Sequence, residues 1–211
     1  MRAIAGRTTL AAAILLLMPI TVWLTGWQWL PGPSGWGLHV LYAITETVTQ
    51  PWGIITHLLL CAVVLWRLRP DFRTCVILVV ILSAAVLAGQ GAKSLIKAQV
   101  QEPRPFVLWL EKTQQIPVEQ FYTLKRSERS ALVKEQLAHQ NDIPGFLRHH
   151  WQKETGFAFP SGHTMFAATW ALLLVGLLWS RRNALGLALA VAWAISVMGS
   201  RLLLGMHWPL A

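Results

Sequence analysis

Apolar residues along this chain gather in long runs, separated by short polar loops and one long polar interruption. A helix needs about 20 apolar residues to cross a hydrocarbon core of ~30 Å. Five stretches reach or approach that length: residues 8–26, 51–68, 74–90, 162–179 and 183–204. The first, with Arg2 and Arg7 ahead of it, has the outline of a signal peptide. It is long for that role and no small-x-small site follows Trp27, so an uncleaved span is expected. The connection after it, "QWLPGPSGWGLHVLYAITETVTQP", opens with Pro/Gly turn material. It continues with Leu38, Leu41, Tyr42, Thr45 and Val48 on one helical face, which predicts an interfacial helix near residues 36–48. No internal repeat is visible.

The polar loops orient these spans. Arg2 and Arg7, then "RLRPDFR", then "SRRN" with Arg181 and Arg182 all fall on one side by span parity. Short Lys/Arg-rich loops stay in the cytoplasm, so the N-terminus is expected there. Residues 91–161 then form an extracytoplasmic segment, with helical stretches such as "SERSALVKEQLAHQ", too long for an idle loop. The expected organisation is three spans with the interfacial segment over 1–90, the outer segment over 91–161, and two further spans within 162–211. The fold class is an all-α polytopic membrane bundle.

Composition sharpens this picture. Only 13% of the 211 residues are charged and mean hydropathy is +0.48, outside the range of a soluble domain of this size. Many of the 12 tryptophans end apolar runs: Trp23, Trp27, Trp29, Trp52, Trp66, Trp179 and Trp208 suit a headgroup belt, while Trp170 and Trp193 suit the core. The net charge of +9 raises nucleic acid as a partner, but no motif for it is present. Orientation signals and an anionic substrate account for the excess. Cys61 and Cys75 lack metal spacing and read as buried thiols. His139, His149 and His150 have no Cys or carboxylate at ligand spacing and read as exposed surface histidines.

Three polar islands share the outer face by the same parity. "GAKSLIKAQVQEPRPF" carries Lys97 and Arg104, with Pro103 and Pro105 preventing a continuous helix through Arg104. "PSGH" places Ser161, Gly162 and His163 at the mouth of the fourth span. "GSRLLLGMHWP" carries Arg201 inside an apolar run, and His207 beyond Gly205. A charge deep in a membrane helix costs ~2.5–3.5 kcal/mol, so Arg201 is expected to face a partner or ligand. Three cations at one low-dielectric boundary call for an anion, and phosphate suits a bidentate Arg and a point-charge Lys. A helix N-terminus opened by Ser and Gly is itself an anion site. Two histidines beside a phosphate suggest that one attacks phosphorus and the other protonates the leaving oxygen. No metal ligand set is visible, and the cations would do the work a metal does elsewhere.

These residues resemble the three-part signature of the type 2 phosphatidic acid phosphatase family. Lys-x6-Arg-Pro matches Lys97, Arg104 and Pro105; Pro-Ser-Gly-His matches Pro160, Ser161, Gly162 and His163; Ser-Arg-x5-His matches Ser200, Arg201 and His207. The resemblance implies a lipid phosphate substrate such as phosphatidylglycerophosphate, phosphatidic acid or undecaprenyl pyrophosphate, with no cofactor, no metal and no nucleic acid. It implies a bacterial inner membrane with the site on the periplasmic face. His207 would form a phosphohistidine, His163 would be the general acid, and Lys97, Arg104, Ser161, Gly162 and Arg201 would bind phosphate. The signature also carries an Asp four residues after the last His, to accept from its Nδ1–H; here that position is Ala211. It further implies a sixth span after the third motif, where no residues follow.

Two rival readings follow from those departures. One is a non-catalytic fragment that retains lipid phosphate binding. The other is an anionic-lipid transport protein, against which stands the lack of a repeat. Loss of the acidic partner of a catalytic His predicts an activity loss of about 10⁴.

Overall fold

The computed structural model describes residues 2–32, 35–179 and 183–211. Arg181 and Arg182, part of the orientation pattern, lie outside them. The described residues form helices and connecting turns, with no strand among them. The helices are α1 (Arg2–Leu24), α2 (Trp36–Glu46), α3 (Trp52–Leu68), α4 (Phe72–Val100), α5 (Pro105–Gln114), α6 (Val118–Thr123), α7 (Arg126–Gln136), α8 (Gly145–Lys153), α9 (Gly162–Leu178) and α10 (Ala184–Leu203). The expected all-α class is what the chain adopts. Among the described residues, three helical stretches are long and apolar enough to cross a membrane: Ala3–Leu24, Phe72–Gln114 and Ala184–Leu203. Helices α3 and α9 are apolar but shorter, at 17 residues each.

Local chemistry sets the boundaries that matter for function. Asp71 caps α4 by accepting from the Thr74 amide at 3.3 Å. The helix passes position 90 without a break and stops at Gln101, which takes a left-handed φ of 50°. Pro103 and Pro105 then bar its continuation. Pro105 restarts the chain as the first residue of α5, where its missing N–H costs nothing. The extended stretch around Arg104 is therefore short.

Two cores result. The apolar bundle centres on α9, which packs against α1, α3, α4 and α10. Ala167, Ala171 and Ala194 are fully buried between α9 and its neighbours. Small residues let helix backbones approach where lipid supplies no hydrophobic drive. The outward faces of α3 and α4 expose Ile54, Leu58, Leu59, Val80, Ile81 and Leu87, as lipid contact requires.

The second core lies in the polar segment, where Phe106, Leu110, Phe121, Val133, Leu137 and Trp151 cluster. Burial away from water stabilises each such side chain by ~1.5–3 kcal/mol. Residues from distant parts of the chain complete it. Trp29 is buried there, edge-on to Trp151 with centroids 5.7 Å apart, and donates its Nε1–H to the Leu203 carbonyl at 3.0 Å. Trp208 donates to the Pro103 carbonyl at 2.8 Å. Trp29 is thus a packing element rather than a member of a headgroup belt, and Trp208 is half-buried. Trp23, Trp52, Trp66 and Trp179 are exposed, Trp170 is buried, and Trp193 is half-buried. Cys61 is buried and Cys75 only partly so.

Candidate active site

The ends of α4, α8, α9 and α10 meet where the apolar bundle joins the polar segment. Arg201, in the last turn of α10, is fully buried. Its Nη2 donates to Glu154 Oε2 at 2.6 Å, and its Nη1 donates to Thr45 Oγ1 at 3.0 Å and to His150 Nε2 at 2.9 Å. Arg104, the N-cap of α5, donates Nε–H to the Gly156 carbonyl at 2.6 Å. Its Nη1 reaches Glu154 Oε2 and the Met206 carbonyl, each at 3.3 Å. One carboxylate thus bridges two buried guanidiniums and takes the charge-assisted bonds that suit a phosphate. Burial works against the Glu154 charge, but Arg201, His163 and Arg104 hold its carboxyl well below the usual 4.5.

His207 follows the turn at Gly205, whose φ of +70° favours glycine and whose Cα faces the Trp29 ring. That turn swings His207 back toward Arg104, with Arg104 Nη1 at 3.5 Å from His207 Nε2. A guanidinium only donates, so Nε2 presents its lone pair and the proton resides on Nδ1. Burial, and then Arg104 and Arg201, push this imidazole well below its ordinary value of 6.5, so it is neutral at pH 7. Its Nδ1 is buried without a hydrogen-bond partner. The segment after His207 is not helical: a turn closes with the Ala211 N–H donating to the Trp208 carbonyl at 3.0 Å. A partner at position 211 would approach His207 around a turn, not along a helix face.

The first turn of α9 supplies the third side. Ser161 is its N-cap, with Oγ accepting from the Thr164 amide at 3.3 Å. His163 Nε2 lies 3.0 Å from Thr49 Oγ1 and 3.7 Å from Glu154 Oε1. A Cβ on Gly162 would sit 2.9 Å from Lys93 Cδ, so glycine admits that lysine. Lys93 Nζ donates to Gln90 Oε1 at 2.9 Å, and Gln90 donates to the Gly162 carbonyl at 3.0 Å. Lys97 Nζ donates to the Phe157 carbonyl at 2.7 Å. Lys97, Arg104, Glu154, Gly162, His163 and His207 line one cavity of about 1,100 Å³. Arg201 and Ser161 are fully buried behind that lining. The chain therefore brings all seven candidate residues to one place, five of them on the cavity wall and Arg201 and Ser161 close behind it.

Several groups here carry no sequence signal. Glu154 lies in "WQKETGF", which no spacing rule singles out. Thr45 reads in the sequence as part of an interfacial face, and Thr49 falls just beyond it. His150 is the clearest correction: the surface reading fails because Leu147, His150 and Trp151 form the buried face of α8, while His139 and His149 are exposed. Burial pushes His150 below its ordinary 6.5 against the pull of Glu46, whose Oε1 lies 3.6 Å from Nδ1. It serves as a neutral acceptor for Arg201.

The model of the PAP2 superfamily matches residues 73–211, which span every residue of the site except Thr45, Glu46 and Thr49. The chain belongs to the PAP2 superfamily. The chain is 64% identical over 209 residues to phosphatidylglycerophosphatase B of Escherichia coli (strain K12), covering 99% of this chain and 82% of that protein. It is 36% identical over 215 residues to the protein of the same name in Haemophilus influenzae, covering 97% and 87% respectively. This PAP2 protein is a phosphatase acting on lipid phosphates, and its apolar helices suit it to a membrane.

Proposed function

We propose that this PAP2 phosphatase hydrolyses phosphatidylglycerophosphate, phosphatidic acid or undecaprenyl pyrophosphate through a phosphohistidine at His207, without metal. The observation that carries the proposal is the His207 Nε2 lone pair facing Arg104 in a neutral, buried ring. That nitrogen attacks phosphorus while the bond from phosphorus to the lipid or pyrophosphate oxygen breaks. His163 gives its proton to the departing oxygen, which leaves as an alcohol or a lipid monophosphate. Water then attacks the phosphohistidine, its proton passes to His163, and inorganic phosphate departs with His207 neutral again. Arg104 and Arg201 neutralise the equatorial oxygens, Lys97 adds a point charge, and the Ser161 hydroxyl and Gly162 amide complete the seat. Glu154 keeps both guanidiniums aligned before phosphate arrives and yields part of their bonds to it.

The topology proposed with this chemistry is five spans, α1, α3, α4, α9 and α10. Arg67, Arg69 and Arg73 lie at the opposite end of α3 and α4 from the site, which supports a cytoplasmic N-terminus and a periplasmic site in a bacterial inner membrane. Residues 91–161 form the periplasmic cap. Phosphate release from each of the three lipids in detergent with EDTA tests the proposal. Release that depends on added metal, or that survives His207→Asn, rejects it.

A further inference from the structure

The cavity does not end at the phosphate seat. It continues between α3, α4 and α9, past Val86 and Phe166, to His57 and Ser83. An ionisable side chain within a membrane helix is expensive and marks function by default. His57 Nε2 lies 3.0 Å from Ser83 Oγ, and the ring stands edge-on to Trp170 with centroids 5.3 Å apart. Its Nδ1 is buried with no hydrogen-bond partner. Ser94, Ser196 and Ser200 each donate to a carbonyl of their own helix. Ser83 does not, and among the described residues His57 is its partner. If Ser83 donated to Nε2, a buried Nδ1–H would be orphaned; if Nε2–H donates, only a lone pair is. Orphaned donors are the rarer and costlier case. The favoured tautomer therefore leaves the Ser83 hydroxyl hydrogen free for the cavity.

The depth of this pair identifies what it can meet. Trp170, against His57, is seven residues along α9 from His163, about 10 Å at 1.5 Å per residue. In phosphatidic acid the acyl-ester carbonyl oxygens follow phosphorus by about six or seven bonds, or ~7–9 Å at ~1.2 Å per bond of extended chain. A hydrogen bond then bridges the remainder. We infer that Ser83, oriented by His57, donates to an acyl-ester carbonyl of phosphatidic acid seated at His207, and so favours this lipid over prenyl and ether-linked lipid phosphates. This rests on the lipid phosphate reading of the site.

The test is competitive binding in detergent of a diacyl phosphatidic acid and its dialkyl-ether counterpart of equal chain length. The ether keeps the phosphate and chains but lacks the carbonyls. The unaltered protein binds the diacyl lipid more tightly. Ser83→Ala and His57→Phe lower that preference by about three- to tenfold, the value of one hydrogen bond, and Ser83→Thr retains it. A preference unmoved by Ser83→Ala, or equal weakening toward both lipids, overturns the inference alone. If the unaltered protein binds neither lipid, the lipid phosphate reading falls and takes the inference with it.

Discussion

Replacing Glu154 with Gln removes one charge and almost no volume from the centre of the site. In the parent, Oε2 lies 2.6 Å from Arg201 and 3.3 Å from Arg104, whose side chains are 1% and 5% exposed. At an effective dielectric of ~20, a unit charge pair ~4 Å apart is worth about 4 kcal/mol before desolvation. Removing one partner from buried ion pairs costs about 3–5 kcal/mol, because the stranded charges remain. Here two guanidiniums are stranded together, close to Lys97. The Gln variant is expected to lose about 3–5 kcal/mol of stability at pH 7, read as a drop in melting temperature in detergent. Inorganic phosphate or vanadate should then stabilise the variant more than the parent, since the anion supplies the missing charge. The sign with pH follows from a Glu154 carboxyl held below 4.5. Its stabilisation is present above pH 4.5 and is lost as pH falls through the folded value, so the two proteins converge on acidification. A variant as stable as its parent at pH 7, and indifferent to phosphate, would refute the placement of Glu154 as the internal counter-ion.

Three further outcomes are expected. His163→Asn should slow turnover of lipid substrates by about 10²–10⁴, and far less for an aryl phosphate whose leaving group needs no proton; equal losses on both would deny it the acid role. Ala211→Asp should raise turnover by up to about 10⁴ by giving the unpartnered His207 Nδ1–H an acceptor, and no gain would show that the turn keeps position 211 away from the ring. The acid limb of kcat/KM should lie below pH 6.5, because burial and the flanking arginines keep His207 neutral there; an inflection at or above 6.5 assigned to His207 would contradict its environment.

The parts of this protein legible in its sequence are those whose signal is local. Runs of apolar residues mark membrane helices because a helix in lipid must be apolar over its own length. Lys97 and Arg104, Ser161 to His163, and Arg201 with His207 are each set by short spacing along one stretch of chain. Residues whose role depends on a distant partner left no such trace. Glu154 is ordinary until α8 brings it between Arg104 and Arg201. His150 matters through a bond to Arg201 across 51 positions, and Trp29 through a carbonyl 174 positions away. Trp29 imitated an interfacial tryptophan because it sits beside an apolar run, while its burial comes from a second core that periodicity does not announce. The same holds for His57: a lone histidine in an apolar run acquires meaning only from Ser83 and the cavity beside it.

The central claim is that His207 carries the phosphoryl group. The most direct test is rapid quenching of turnover with a lipid bearing a radiolabelled terminal phosphate, in EDTA, followed by peptide mapping. The account predicts an acid-labile, alkali-stable label on His207 that is absent in His207→Asn. Turnover that proceeds in His207→Asn, or a label found on any other residue, would contradict it.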